Sequence, residues 1–177
     1  MYRVKDVMTD EVLTCGIRDS LEVAVGIMRD RDCGFVPVVD DGERVVGLVT
    51  DRDAVMCALT SREALADLSV GEACSRSVIS CHAEDTLERA ELLMRVNRVR
   101  RLPVLGADRR LSGVISLTDL ARHVELSAPG DRSALSPRHI AAVLAETSGA
   151  RRLAASGEPR RTQETGPRPI IEAFFHG

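Results

Sequence analysis

Tryptophan is absent from this 177-residue chain, and Tyr2, Phe35, Phe174 and Phe175 are its only aromatic residues of the Phe/Tyr/Trp type. The core must therefore be aliphatic, and no Trp or Tyr platform is available to stack a planar ligand. Any such ligand would lie between aliphatic side chains. No apolar run approaches the roughly 20 residues a bilayer-spanning helix needs, and the first residues, Met1 to Asp6, hold no signal-peptide apolar region. No membrane association is expected. Lysine occurs once, at Lys5, and the net charge of −3 carries no basic excess that would point to nucleic acid. Five cysteines form no Cys-x-x-Cys pair, and their odd number suits a reducing cytoplasm better than a disulfide framework. Cys74, Cys81 and His82 lack metal-ligand spacing. There is no Walker lysine, nucleophile–base pair or paired acid–base constellation, so neither an enzyme nor a metal site is expected.

What is present is a globular composition, 44% hydrophobic and 29% charged, and an internal repeat. Gly47-Leu48-Val49-Thr50-Asp51-Arg52-Asp53 is matched 66 positions later by Gly113-Val114-Ile115-Ser116-Leu117-Thr118-Asp119. The same offset carries Asp19-Ser20-Leu21-Glu22 onto Asp85-Thr86-Leu87-Glu88, and Pro37-Val38 onto Pro103-Val104. A constant offset through caps, strands and turns means a duplicated unit.

Each copy reads β-α-β-β-α. Val12 to Thr14 is strand-like, and Asp19 with Glu22 reads as a capping box opening a helix to about Arg31. Gly34 marks that helix's end. Phe35–Val39 and Arg44–Val49 form a hairpin about Asp40-Asp41-Gly42, and a helix from about Asp51 to Leu59 closes the unit. The expected fold is α+β: two such repeats, at 3–60 and 69–126, packed sheet to sheet about a pseudo-twofold axis, since units this small are marginal alone. Residues 127–177 form a tail, with a linker at 127–131 and a short helix at about 138–146 bearing Ile140, Val143 and Leu144 on one face. The Gly/Pro-rich stretch 157–169 reads as flexible, and 170–175 is an apolar end that could dock on a partner or on the chain itself.

Thr50 and Ser116 stand where a strand enters a helix. A hydroxyl N-cap with aspartate three places on satisfies a helix start by itself. The same start offers free N–H groups and a positive dipole end to an anion, and the aspartate could accept two hydrogen bonds from a ribose diol. The turn alone supports both readings.

The doubled unit resembles the CBS domain, and its pairing resembles the tandem CBS, or Bateman, module. The resemblance rests on Thr14 and Ser80 at the first strands, Phe35-Val36-Pro37-Val38, Arg101-Leu102-Pro103-Val104 and the two turns, and it covers roughly residues 3 to 125. It implies clefts between the repeats that bind AMP, ADP or ATP, with S-adenosylmethionine or NAD as weaker candidates and no required cofactor. It implies ribose contacts at Asp53 and Asp119, Thr50 and Ser116 beside them, and Thr14 and Ser80 lining the clefts. Arg100 and Arg101 stand where family members with phosphorylated ligands carry basic residues, and Arg52 is a further phosphate candidate. The first repeat has Gly34 and Phe35 there instead, so the clefts should differ. The resemblance implies a non-catalytic regulatory module sensing energy or stress, a homodimer, and an unidentified protein partner. The alternative is a dimeric interaction or scaffold protein with vestigial clefts.

Overall fold

The structure, a computed structural model, describes residues 2–128, 131 and 135–148. A 3-10 turn at Val4–Asp6 is followed by β1 (Cys15–Gly16), α1 (Leu21–Asp30), β2 (Phe35–Val39), β3 (Val45–Thr50) and α2 (Asp51–Ser61). A short α3 (Val70–Ala73) then leads to β4 (Cys81–His82), α4 (Leu87–Asn97), β5 (Arg101–Leu105), β6 (Leu111–Ser116) and α5 (Leu117–Leu126). The last element is α6 (Pro137–Ser148). The β-α-β-β-α order occurs twice, in two three-stranded sheets ordered β1-β2-β3 and β4-β5-β6, and the fold is α+β as expected.

Local chemistry moves some boundaries. The first strand begins at Cys15, so Thr14 and Ser80 each stand one residue ahead of a strand. The cap of α1 is Ser20, not Asp19. The Asp19 carboxylate is engaged by the Gly16 amide at 2.7 Å, closing the preceding turn, and the extended Ser20 accepts from Val23 instead. Asp85 and Thr86 repeat this division of labour, with the His82 and Arg89 amides as donors. Gly34 does not end α1. The left-handed residue is Asp32, matched by Arg98 after α4, and the Cys33 and Val99 amides reach back to the Met28 and Met94 carbonyls.

β2 runs parallel to β1, through Cys15 opposite Val38, and antiparallel to β3, with Phe35 opposite Thr50. It is thus a central strand that contains a proline. The Pro37 carbonyl faces the β1 edge, where it accepts from the Cys15 thiol at 3.9 Å. A strand residue's N and C=O share one side, so the missing N–H costs no bond to β3. Cys81 and Pro103 repeat the contact at 4.0 Å.

The chain forms two compact units: residues 1–9 belong with 79–104 and those from 114 through α6, and residues 10–78 with 105–113. Each unit thus takes in the segment that precedes the other's first strand. In the first, the Val4 amide bonds the Asp85 carbonyl at 2.9 Å, and Thr9 and Val114 exchange both backbone bonds at 2.9 and 2.8 Å. In the second, Val70 bonds Asp19 at 2.8 Å, and Ser75 exchanges with Leu48 at 2.8 and 3.0 Å. These are the same contacts at the same 66-residue offset.

Each unit has an aliphatic core. Leu21, Met28, Val36, Val38, Val49, Leu68 and Val70 fill one; Val4, Leu87, Met94, Leu102, Val104, Ile115 and Leu120 fill the other. α6 packs on α4 and α5, burying Val143 completely and Ile140 partly, while Leu144 remains exposed. It spans 137–148, slightly longer than expected. The segments 157–169 and 170–175, and part of the 127–131 linker, lie outside the described residues.

Candidate functional site

Thr50 and Ser116 are N-caps in extended backbone, at φ −112°, ψ 163° and φ −118°, ψ 163°. Thr50 Oγ1 accepts from the Asp53 amide at 3.1 Å and donates to Asp53 Oδ2 at 2.6 Å. The same carboxylate oxygen accepts the Thr50 amide at 3.0 Å. In the second turn the Asp119 amide reaches Ser116 Oγ at 3.2 Å, and Asp119 Oδ2 accepts the Ser116 hydroxyl and amide at 2.6 and 2.8 Å.

This geometry limits what each group can do. The hydroxyl has one proton and has given it to the aspartate, so it orients the carboxylate rather than donating to a ligand. The carboxylate uses Oδ2 for the cap, and no described residue donates a hydrogen bond to Oδ1. Asp53 and Asp119 are half-buried. Each turn therefore presents one held, unsatisfied carboxylate oxygen beside a helix N-terminus.

The backbone also fixes what borders each turn. The Leu117 amide donates to the Arg100 carbonyl at 2.8 Å, and the equivalent Asp51 amide donates to the Gly34 carbonyl at 3.3 Å. Arg100 and Arg101 accordingly stand against the Ser116–Asp119 turn, whereas Gly34 and the buried Phe35 stand against Thr50–Asp53. Arg52 is exposed on the first turn of α2. Thr14 and Ser80 are half-buried, one position ahead of Cys15 and Cys81.

The Arg100 side chain has a specific engagement. Its Nε donates to Thr147 Oγ1 at 3.1 Å, and one terminal nitrogen donates to Ser148 Oγ at 2.5 Å and to the Thr147 carbonyl at 3.5 Å. The guanidinium thus sits on the C-terminal end of α6, a contact between residues that show no sequence motif together.

The glycine that opens the first turn motif is explained by packing. A Cβ on Gly47 would lie 3.1 Å from the Ser75 carbonyl oxygen and 3.2 Å from Cys74 Sγ. The residues meeting it belong to the segment after α3, which sequence reading left unassigned. The signal was available: Val70 and Ser75 stand 66 positions after Val4 and Thr9. Burial pushes the Cys15 and Cys81 thiols up to about 12, and raises Cys74 as well. Among the described residues, no group of three His, Cys, Asp or Glu is placed to hold a metal ion, and no helix is long and apolar enough to cross a membrane.

A duplicated α+β unit with a hydroxyl-aspartate turn where β3 enters α2 and β6 enters α5 defines a tandem domain pair. The CBS domain family model matches residues 4–59 and 70–126, and the chain belongs to that family as a tandem pair. It is 31% identical over 124 residues to Hypoxic response protein 1 of Mycobacterium tuberculosis, covering 70% of this chain and 86% of that one. A crystal structure of Hypoxic Response Protein I with two coordinated zinc ions is similar, with TM-score 0.63 and 30% identity over 69% of this chain and 98% of the other. The structure of CBSX2 in complex with AMP has TM-score 0.61 and 27% identity, covering 69% and 95%.

Proposed function

We propose that this chain is a non-catalytic regulatory module that binds an adenosine-containing nucleotide (AMP, ADP or ATP) through its two hydroxyl-aspartate turns. The observation that carries this is the pair of turns in which one carboxylate oxygen is locked into the cap while no described residue donates to the other, a geometry that suits a ribose diol. The bound AMP in the CBSX2 structure gives the chemical class of ligand. Asp53 and Asp119 are the ribose acceptors, oriented by Thr50 and Ser116. Thr14 and Ser80 line the adenosine from the strand starts.

Phosphate chemistry separates the two turns. A guanidinium takes a phosphate in two parallel charge-assisted bonds, and Arg100 and Arg101 offer this at the Ser116–Asp119 turn. The Thr50–Asp53 turn carries the exposed Arg52 on its helix and Gly34 where the second turn has Arg100. The phosphorylated ligand therefore belongs at the second turn. S-adenosylmethionine has no phosphate for these arginines and is the weaker fit.

The protein works as a cytoplasmic homodimer. The apolar strip Val55, Met56 and Leu59 on α2, 64%, 48% and 70% exposed, suits a helix-mediated contact and a protein partner that reads the liganded state. It also supports the second reading, an interaction protein whose clefts are vestigial. A thermal-shift panel of AMP, ADP, ATP, NAD and S-adenosylmethionine separates the two. A rise in Tm with an adenine nucleotide supports the sensor; no rise with any of them at millimolar concentration leaves the scaffold reading.

A further inference from the structure

Arg100 faces two demands. Its backbone is fastened to the first residue of α5, beside Ser116 and Asp119. Its Nε and one terminal nitrogen, which together form an edge able to grip a phosphate bidentately, are spent instead on Thr147 and Ser148. The residue that should bind the ligand is held by the C-terminal turn of α6.

The competing bonds are unequal. Thr147 and Ser148 offer neutral hydroxyls and a helix-end carbonyl to an exposed guanidinium, whereas a phosphate offers anionic oxygens that take the same edge in two parallel bonds with both partners charged. Thr147 Oγ1 keeps its own bond to the Val143 carbonyl, which it donates at 2.8 Å, whether or not Arg100 is engaged. The helix itself is anchored elsewhere, by buried Val143 and half-buried Ile140 on α4 and α5. Its last turn can therefore be released without undocking the whole helix. Among the described residues no counterpart exists at the other turn, where Gly34 occupies the Arg100 position.

We propose that the last turn of α6 is an autoinhibitory latch on Arg100, so that a phosphate-bearing nucleotide and the latched turn exclude each other. The inference rests on the nucleotide reading above and adds its regulation. Ligand binding at the second turn alone is reported to α6, and the chain leaves that helix directly into residues 149–177. Because coupling is reciprocal, anything that stabilises the latched turn weakens the nucleotide.

The test uses the full chain and the variant Thr147→Val/Ser148→Ala, which removes both hydroxyl acceptors and leaves the buried Val143 anchor in place. AMP affinity by calorimetry is expected to rise about fivefold or more in the variant. In the wild-type chain, AMP is expected to speed amide hydrogen exchange at 146–148 while 140–143 stays protected. AMP bound with equal affinity by both chains, with unchanged exchange at 146–148, overturns the latch while leaving nucleotide binding standing. AMP bound by neither overturns the nucleotide reading, and the latch with it. If the variant fails to fold, the exchange measurement on the wild-type chain decides.

Discussion

The Arg100 carbonyl accepts a 2.8 Å hydrogen bond from the Leu117 amide, and this one contact fastens the Arg100 backbone to the turn that holds Asp119. Its counterpart, Asp51 to Gly34, seats an uncharged corner beside Asp53. On the proposed reading, two turns with the same cap acquire different phosphate chemistry from the residue that precedes the β-hairpin.

That asymmetry predicts unequal arginines. Arg101→Ala should weaken AMP binding about tenfold, the loss of ~1.4 kcal/mol of charge-assisted contact. Arg52→Ala should leave the second-turn affinity within about twofold. Calorimetric titration of both variants checks this.

The cap geometry predicts a double effect for the hydroxyls. Ser116→Ala removes the acceptor for the Asp119 amide and the donor to Asp119 Oδ2. It should cost about 1 kcal/mol of stability in urea unfolding, the usual cost of losing a helix cap. It should also weaken the nucleotide, because the carboxylate is no longer held. Ser116→Thr should restore both.

Two glycines should respond in opposite directions to alanine. Gly47→Ala drives a methyl into the Ser75 carbonyl and Cys74 Sγ, an overpacking that should destabilise by roughly 1–3 kcal/mol. Gly26, inside α1, has nothing within 4 Å of an added Cβ, so Gly26→Ala should stabilise by about 0.5–1 kcal/mol through helix propensity. Denaturant midpoints distinguish the two.

The buried thiols give a pH signature. An ordinary cysteine titrates near 9.0, and burial pushes Cys15 and Cys81 up to about 12. Between those values the unfolded chain releases both protons and the folded chain keeps them. The folded state binds more protons there, so stability falls as pH rises from about 9 toward 12. The Cys15→Ala/Cys81→Ala variant should flatten this slope, leaving the smaller part due to the raised Cys57, Cys74 and Tyr2, though its stability at neutral pH will be lower. Urea unfolding across that pH range measures it.

The duplicated element order, the two hairpins and both hydroxyl-aspartate turns were legible in the sequence because each depends on neighbours within a few positions. The capping residue was misplaced by one, since Asp19 and Ser20 both qualify chemically and only the Gly16 turn decides between them. The exchange of Thr9 and Ser75 between units needs long-range pairing that no local pattern carries. The hold of α6 on Arg100 was equally hidden, as it joins residues 47 and 48 positions apart. The residue types at the two turns could be read; what restrains them could not.

In the proposed function a held aspartate takes ribose while arginines at one turn take phosphate. Titrating AMP and adenosine side by side into the full-length protein tests it most directly. The account predicts saturable AMP binding, at least about tenfold tighter than adenosine, and lost in Asp119→Ala. Equal affinity for AMP and adenosine, or AMP binding undiminished in Asp119→Ala, would contradict it.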